Sequence, residues 1–132
     1  MIEIVIPGKP LPYAAPMVTR RGFAYDRKHK EKKRLRMEVG RQFLDKKPLE
    51  GPIRVDIIFY MAVPESTSKK MKERMISQEI RHLKKPDVDN CIKWTLDLVK
   101  GTIIKDDNQV CELRARKLYS TNPETIIDFY QL

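Results

Sequence analysis

The sequence predicts an α+β fold, a single small domain over residues 1–132 in which a mixed β-sheet packs against two or three helices. Strand-like and helix-like segments are mixed along the chain, without the regular strand–helix alternation of a parallel α/β fold. A length of 132 residues suits one domain. A hydrophobic fraction of 41% is that of a globular protein. No internal repeat or low-complexity segment argues for another architecture.

Four segments alternate in the way that is typical of strands with one buried face. Residues 1–6 place an isoleucine at every second position, and residues 53–63 form the clearest strand in the chain. Residues 109–119 alternate as well, and residues 125–130 predict a last strand. Residues 103–104 predict one further, very short strand.

Three segments have the spacing of apolar residues that predicts helices. Asp26 is the predicted N-cap of a first helix that runs to about Lys46. Ser66 or Ser68 is the predicted cap of a second helix. The third is predicted over residues 88–100, before a glycine that is a normal stop signal.

Positive charge dominates the composition, because 27 Lys and Arg against 18 Asp and Glu give a formal net charge of +9. Nucleic acid is the commonest partner for such a balance. Seven of the ten residues 27–36 are basic, and the proline-rich segment 7–25, which predicts an irregular loop, carries Arg20 and Arg21. We expect these arginines and Lys28 to contact phosphates. A merely solvated basic surface is the alternative.

Several classes of protein do not fit the sequence. No run approaches the ~18 apolar residues that span a bilayer, and the first residues lack the basic region of a signal peptide. We therefore expect a cytoplasmic protein with no membrane partner. Cys91 and Cys111 are too few for a disulfide framework or a zinc site, and we expect both to be small buried hydrophobes.

Four carboxylates in two tight pairs carry the chemical signal in this basic chain. Asp87 and Asp89 lie at the start of the third predicted helix, and Asp106 and Asp107 follow its end in a segment of turn composition. If this turn folds back beside the first pair, three or four hard oxygen ligands would suit Mg²⁺ or Mn²⁺. Helix capping at the first pair and a simple hairpin turn at the second are the alternatives. The EF-hand loop pattern is not matched.

A polar stripe on the third predicted helix continues from the first acidic pair. Asn90, Lys93 and Asp97 are spaced i, i+3 and i+7 and share one face. An amide, an ammonium and a carboxylate beside two aspartates predict metal-dependent chemistry on a nucleic-acid phosphate. A surface ion pair between Lys93 and Asp97 is the alternative.

These residues resemble the signature of the RusA-type Holliday junction resolvases, the crossover junction endodeoxyribonucleases. The resemblance rests on segments 85–90 and 106–110, with Lys93, Asp97 and Gly101 between them. It implies a homodimeric endonuclease, dependent on Mg²⁺ or Mn²⁺, that cuts four-way DNA junctions. Each subunit would cut one strand, which gives paired symmetric nicks in DNA recombination and repair.

The resemblance also implies roles for individual residues. Asp87, Asp89 and Asp107 would be the essential metal-binding carboxylates, and Asp106 would assist them. Lys93 would be the basic catalytic residue at the scissile phosphate. Supporting or DNA-binding roles would belong to Lys85, Asn90 and Lys117.

Other classes of function stay open at this point. A noncatalytic basic nucleic-acid-binding module would have the same surface with purely structural carboxylates. A less selective branched-DNA nuclease would have the same metal site without the preference for four-way junctions. A metal-dependent phosphohydrolase of nucleotides is weakened, because Gly8-Lys9 has no upstream glycine at the spacing of a phosphate-binding loop.

Overall fold

The computed structural model describes residues 1–25, 28–44 and 46–132, which form a mixed sheet with helices. The strands are β1 (Ile2–Pro7), β2 (Met17–Val18), β3 (Ala24–Tyr25), β4 (Ile53–Ala62), β5 (Val110–Ser120) and β6 (Glu124–Gln131). The main sheet has the order β1-β6-β4-β5, and β2 and β3 form a separate hairpin. β6 is antiparallel to β1 and to β4, whereas β4 and β5 are parallel. The predicted α+β class with a mixed sheet is confirmed.

Three α-helices accompany the sheet in this part of the chain. They are α1 (His29–Gln42), α2 (Lys69–Ile76) and α3 (Val88–Val99). α1 lies against β1 and α3, while α2 and α3 both contact β5. The prediction of three helices is confirmed, and none of the described helices is long and apolar enough to cross a bilayer.

The helix ends differ from the predicted ones at the first helix. α1 begins after an N-cap at Lys28 and ends at Gln42, four residues before the predicted end at Lys46. The predicted cap, Asp26, lies outside the described residues. At α2, Ser68 is the cap, because its side chain accepts a hydrogen bond from the Met71 backbone N–H at 3.3 Å.

One hydrophobic core fills the space between the main sheet and the helices α1 and α3. β4 contributes alternate residues to it, as its burial alternates strictly along all ten positions. The largest fully buried side chains include Phe59 of β4, Phe129 of β6, Val39 of α1 and Leu98 of α3. α3 is therefore fixed to the sheet by its apolar face, and its opposite face is left for polar side chains.

One strand prediction, one loop prediction and one cysteine prediction were wrong. Ile103 and Ile104 form no strand, and Ile104 makes isolated bridges to Leu49 and Lys100 while both isoleucines are fully buried. The predicted irregular loop contains the hairpin β2–β3. Cys91 is buried as expected, but Cys111 is exposed, near the start of β5, which is an edge strand of the described sheet.

Candidate active site

The first acidic pair lies at the N-terminal end of α3, and both carboxylates are exposed. Asp87 occupies the N-cap position with φ −71° and ψ 147°, yet its side chain makes no capping hydrogen bond. Asp89 lies in the first turn of the helix. The helix dipole favours negative charge at this end. Capping therefore does not use the Asp87 carboxylate, which is left accessible to a ligand.

A cleft of about 590 Å³ opens beside Asp87, between α3 and the arm formed by residues 12–15. Lys28, Lys85 and Asn90 line the cleft together with Asp87. The cleft therefore brings a carboxylate, an amide and two ammonium groups to one place. Such a set suits a phosphate group accompanied by a cation.

Backbone and side-chain contacts hold the arm against α3. The Tyr13 backbone N–H donates to the Asn90 carbonyl oxygen at 2.9 Å. Lys28 Nζ donates to the Pro12 carbonyl oxygen at 2.5 Å and lies 5.5 Å from the centroid of the Trp94 ring. The arm thus has a defined position beside the carboxylates.

Lys117 fixes the segment that leads into Asp87. Its Nζ, on β5, donates to the carbonyl oxygens of Lys84 at 3.0 Å and Pro86 at 3.2 Å. A charged donor that bonds two backbone carbonyls is a strong local constraint. Through these two hydrogen bonds Lys117 positions the loop that carries Lys85 and Asp87.

The polar stripe on α3 is divided between two tasks. Asn90 lines the cleft, and Lys93 is exposed one turn after Asp89. Asp97 instead accepts an ion pair from Lys32 Nζ at 2.9 Å and a second from Arg36 Nη2 at 3.4 Å. The ion pairs of Asp97 therefore join α3 to α1. The alternative, an ion pair between Lys93 and Asp97, is not found among the described residues.

The second acidic pair forms a 3₁₀ turn over Asp107–Gln109, before β5. Asp106 caps this turn, since its Oδ1 accepts the Asp107 backbone N–H at 2.7 Å. The same Oδ1 lies 3.3 Å from Lys100 Nζ. Asp107 is exposed. The Asp106 carboxylate thus has structural partners, and its supporting role at a metal stays a prediction.

Gln109 is a residue whose role the sequence did not reveal. Its Oε1 accepts the backbone N–H groups of Lys105 and Asp106 at 2.7 and 3.0 Å. Its Nε2 donates to the carbonyl oxygens of Leu49 and Gly51 at 2.8 and 3.0 Å. Gln109 therefore fastens the acidic turn to the segment that precedes β4. Its position three residues after a capping aspartate is the sequence signal for half of this network.

The two acidic pairs lie near opposite ends of α3. Asp106 contacts Lys100, which follows the helix, whereas Asp87 precedes it. Twelve residues at ~1.5 Å each make α3 about 18 Å long. β5 gives a similar separation, because it starts beside the acidic turn and reaches the Pro86 carbonyl only at Lys117, about 23 Å further on at ~3.3 Å per residue.

The turn that carries Asp106 and Asp107 therefore does not fold back beside Asp87 and Asp89 within one chain. Within residues 1–25, 28–44 and 46–132, no three or more His, Cys, Asp or Glu side chains lie close enough together to hold a metal ion. Asp87 and Asp89 are neighbours, and Asp106 and Asp107 are neighbours. One chain does not bring the two pairs together.

Two expected site residues remain, both arginines, and a buried cysteine, Cys91, adjoins Asn90. Arg20 and Arg21 are exposed in the turn between β2 and β3. Burial raises the pKa of the Cys91 thiol to about 11. The thiol is therefore protonated at neutral pH, which argues against a thiolate nucleophile next to Asn90.

An α+β domain with exposed carboxylates beside lysines, and with a strong positive charge, is typical of enzymes that act on nucleic-acid phosphates. The sequence model of the family Endodeoxyribonuclease RusA matches residues 7–130, nearly the whole chain. The chain belongs to the RusA family. The name of this family describes endodeoxyribonucleases.

A relative from Bacillus subtilis (strain 168) carries the name Uncharacterized protein YqaN. It is 40% identical over 77 residues, which make up 57% of this chain and 54% of the relative. The matched part thus spans about half the length of that relative. Its name assigns no activity, so the site geometry and the family support the functional argument.

Proposed function

We propose that this chain is a Mg²⁺-dependent endonuclease that resolves four-way DNA junctions by paired symmetric nicks, with Mn²⁺ as an alternative cation. Its place would be in DNA recombination and repair. The family match over residues 7–130 supports the nuclease class. The net charge of +9 supports a polyanionic substrate.

The pair of exposed carboxylates at the start of α3 carries this proposal. Asp87 makes no capping bond, and Asp89 lies two residues further on in the first turn. Neither is part of an ion pair among the described residues. Neighbouring like charges repel each other unless a cation neutralises them. Two accessible carboxylates without a structural partner are suited to that cation.

The donor set fits a hard divalent cation. Mg²⁺ prefers oxygen ligands and is usually held by one or two carboxylates, several waters and substrate phosphate oxygens. Asp87 and Asp89 supply the carboxylates. When bound, such a cation supplies charge stabilisation at phosphorus and a lowered pKa for a bound water.

The basic and amide groups of the chain would hold the DNA phosphate. Lys93 is four residues after Asp89, so the two side chains are neighbours on one face of α3. A phosphate bound between them would have its developing charge stabilised by the Lys93 ammonium. Lys28, Lys85 and Asn90 line the adjoining cleft and would orient the flanking backbone.

The separation along α3 supports a homodimer in which each active site uses two chains. Asp107 lies near the far end of α3 from Asp87 and Asp89, at a distance on the order of the ~18 Å helix length. A site that needs all three would therefore take Asp107 of the partner subunit. Two-fold symmetry would give two such sites, one for each nicked strand.

Cleavage of a synthetic four-way junction tests the proposed function. We expect paired nicks in the presence of Mg²⁺, no cutting in EDTA, and much weaker cutting of linear duplex and flap controls. Equal cutting of all substrates would contradict junction selectivity. Binding without any cutting under Mg²⁺ or Mn²⁺ would instead favour a noncatalytic DNA-binding module.

Mixing two inactive variants tests whether the site is shared. A heterodimer of Asp89→Asn and Asp107→Asn chains retains one intact shared site, because one chain supplies Asp87 and Asp89 and the other supplies Asp107. We expect the mixture to regain single-strand nicking that neither variant has alone. If the site lies within one chain, both sites of the heterodimer are damaged and the mixture stays inactive.

A further inference from the structure

The hairpin β2–β3 exposes several apolar side chains to solvent. Its strands pair Met17 with Tyr25 and Val18 with Ala24. Phe23, which immediately precedes β3, is 69% exposed, and Val18 and Tyr25 are 66% and 49% exposed. Apolar side chains concentrated on one small exposed element are typical of an interaction surface.

The turn of this hairpin has a defined geometry and a positive charge. The Thr19 backbone N–H donates to the Phe23 carbonyl oxygen at 2.7 Å, and the Phe23 N–H donates to Thr19 Oγ1 at 3.0 Å. Gly22 has a φ of 84°, which glycine adopts without steric penalty. Arg20 and Arg21 are exposed in the same turn. The hairpin therefore presents an aromatic ring and two guanidinium groups together.

Both sides of the hairpin adjoin the candidate active site. The Tyr13 N–H is bonded to the Asn90 carbonyl oxygen, and Met17 follows four residues later. Four extended residues span at most about 14 Å, so β2 starts within that distance of the cleft. Lys28, shortly after β3, is bonded to Pro12 of the same arm. The hairpin is thus attached at its entry and near its exit.

On the basis of the proposed function, we propose that the hairpin, residues 17–25, contacts unstacked nucleobases at the branch point of the DNA. Phe23 stacks on or between the bases, and Arg20 and Arg21 bind the neighbouring phosphates. Aromatic side chains stack on any base, and apolar wedges open base steps where DNA bends sharply. Bases at a branch point are more easily unstacked than bases within a duplex, so this contact would favour branched DNA.

Charge complementarity favours DNA as the occupant of this surface. The two arginines follow the exposed Val18 closely, and the basic first turns of α1 lie beyond β3. Phosphates attract this set, whereas the two arginines of a second hairpin would repel it. Association of two copies through the hairpin is the alternative, and the test below is designed to detect it.

The test compares Phe23→Ala with Phe23→Trp and with a matched control, Met37→Ala. Met37 lies on α1 and is 69% exposed, as Phe23 is. The probe is a fluorescein-labelled four-way junction with 2-aminopurine at the branch point, in EDTA to prevent cutting. We expect Phe23→Ala to weaken junction binding by roughly fivefold or more, which corresponds to the lower end of the free energy of base–aromatic stacking. The variant should also abolish the change in 2-aminopurine fluorescence that accompanies binding. The affinity of Phe23→Ala for duplex DNA should match that of the unmodified protein. The affinities of Phe23→Trp and Met37→Ala for the junction should match it as well.

Three results would overturn this inference. The first is an unchanged ratio of junction to duplex affinity in Phe23→Ala, with normal junction cutting by the unmodified protein; the proposed function then stands. The second is conversion of a dimer to monomers by Phe23→Ala in sedimentation, which would assign the hairpin to contact between copies. The third is failure of the unmodified protein to bind or cut the junction at all, which would overturn the proposed function as well.

Discussion

At the scale of single residues, Asp89 separates catalysis from stability. Its carboxylate is exposed and has no ion pair or capping bond among the described contacts, so Asp89→Asn should change the free energy of unfolding by no more than about 0.5 kcal/mol. Cleavage of the four-way junction should fall by roughly a hundredfold or more, because a cation ligand is lost. Urea unfolding and single-turnover cleavage measure the two effects.

The matched control for this variant is Glu112→Gln. It removes the same charge from an exposed position on β5 and should leave cleavage unchanged. Junction binding in EDTA should be retained or tighter in Asp89→Asn. Loss of cleavage together with a large loss of stability would assign Asp89 to the fold and not to the site.

We expect His82 to make the stability of the protein depend on pH. Burial, followed by the nearby Lys117 charge, lowers the pKa of His82 from its ordinary value of 6.5. The unfolded chain therefore binds a proton more readily than the folded chain, so stability falls as the pH drops below about 6.5 towards the lowered folded pKa. His82→Phe keeps a ring against Tyr119, which His82 meets edge-on at 5.1 Å.

We expect the unfolding free energy of the unmodified protein to decline between pH 7.5 and about 5.5 more steeply than that of His82→Phe. Urea titrations at each pH measure this difference. His29→Gln, on the exposed start of α1, is the control for loss of a histidine. Identical pH profiles for the unmodified protein and His82→Phe would disprove the assignment.

At the scale of elements, Gln109 joins the acidic turn to the segment before β4. Gln109→Ala removes four hydrogen bonds, so we expect a loss of about 1–3 kcal/mol in unfolding free energy. Cleavage should fall more than junction binding, because Asp107 is then less well positioned. Gln131→Ala, at the exposed end of β6, is the control and should behave as the unmodified protein. Cleavage at the normal rate would show that the turn needs no such support.

The sequence predicted the main elements because their patterns are local. The alternation of β4 over residues 53–62 and the spacing of α3 are visible without any knowledge of the partners they pack against. The strand predicted at Ile103 and Ile104 was wrong because a local pattern of two apolar residues is the same in a strand and in a turn that enters the core. The hairpin β2–β3 was missed because prolines and arginines hide two-residue strands.

The arrangement of the candidate site was less predictable, because it depends on direction in space. Asp87, Asp89, Asp106 and Asp107 could be chosen from residue type and spacing. Their distance apart depends on α3 and β5 running side by side with the acidic turn at the far end, which no local pattern encodes. Likewise the partners of Asp97 come from α1, some sixty residues earlier in the chain.

At the scale of the whole molecule, a shared site couples the cation to dimerisation. Mg²⁺ that binds only the dimer should strengthen association by roughly tenfold per site at a tenfold excess over its dissociation constant. Sedimentation equilibrium with and without Mg²⁺ measures the effect. Asp89→Asn and Asp107→Asn should both lose it, while Glu112→Gln should keep it. A dimerisation constant that ignores Mg²⁺ in the unmodified protein would argue for sites within one chain.

The length of α3 has a consequence for the cell that makes this protein. Under the proposed shared site, a newly made single chain would lack a complete site and would cut no DNA, because the carboxylates proposed as essential lie at the two ends of one helix. Its activity then rises with the square of its abundance when chains are scarce. A modest rise in expression would then take the protein from a concentration at which chromosomal DNA is not cut to one at which exposed junctions are cut.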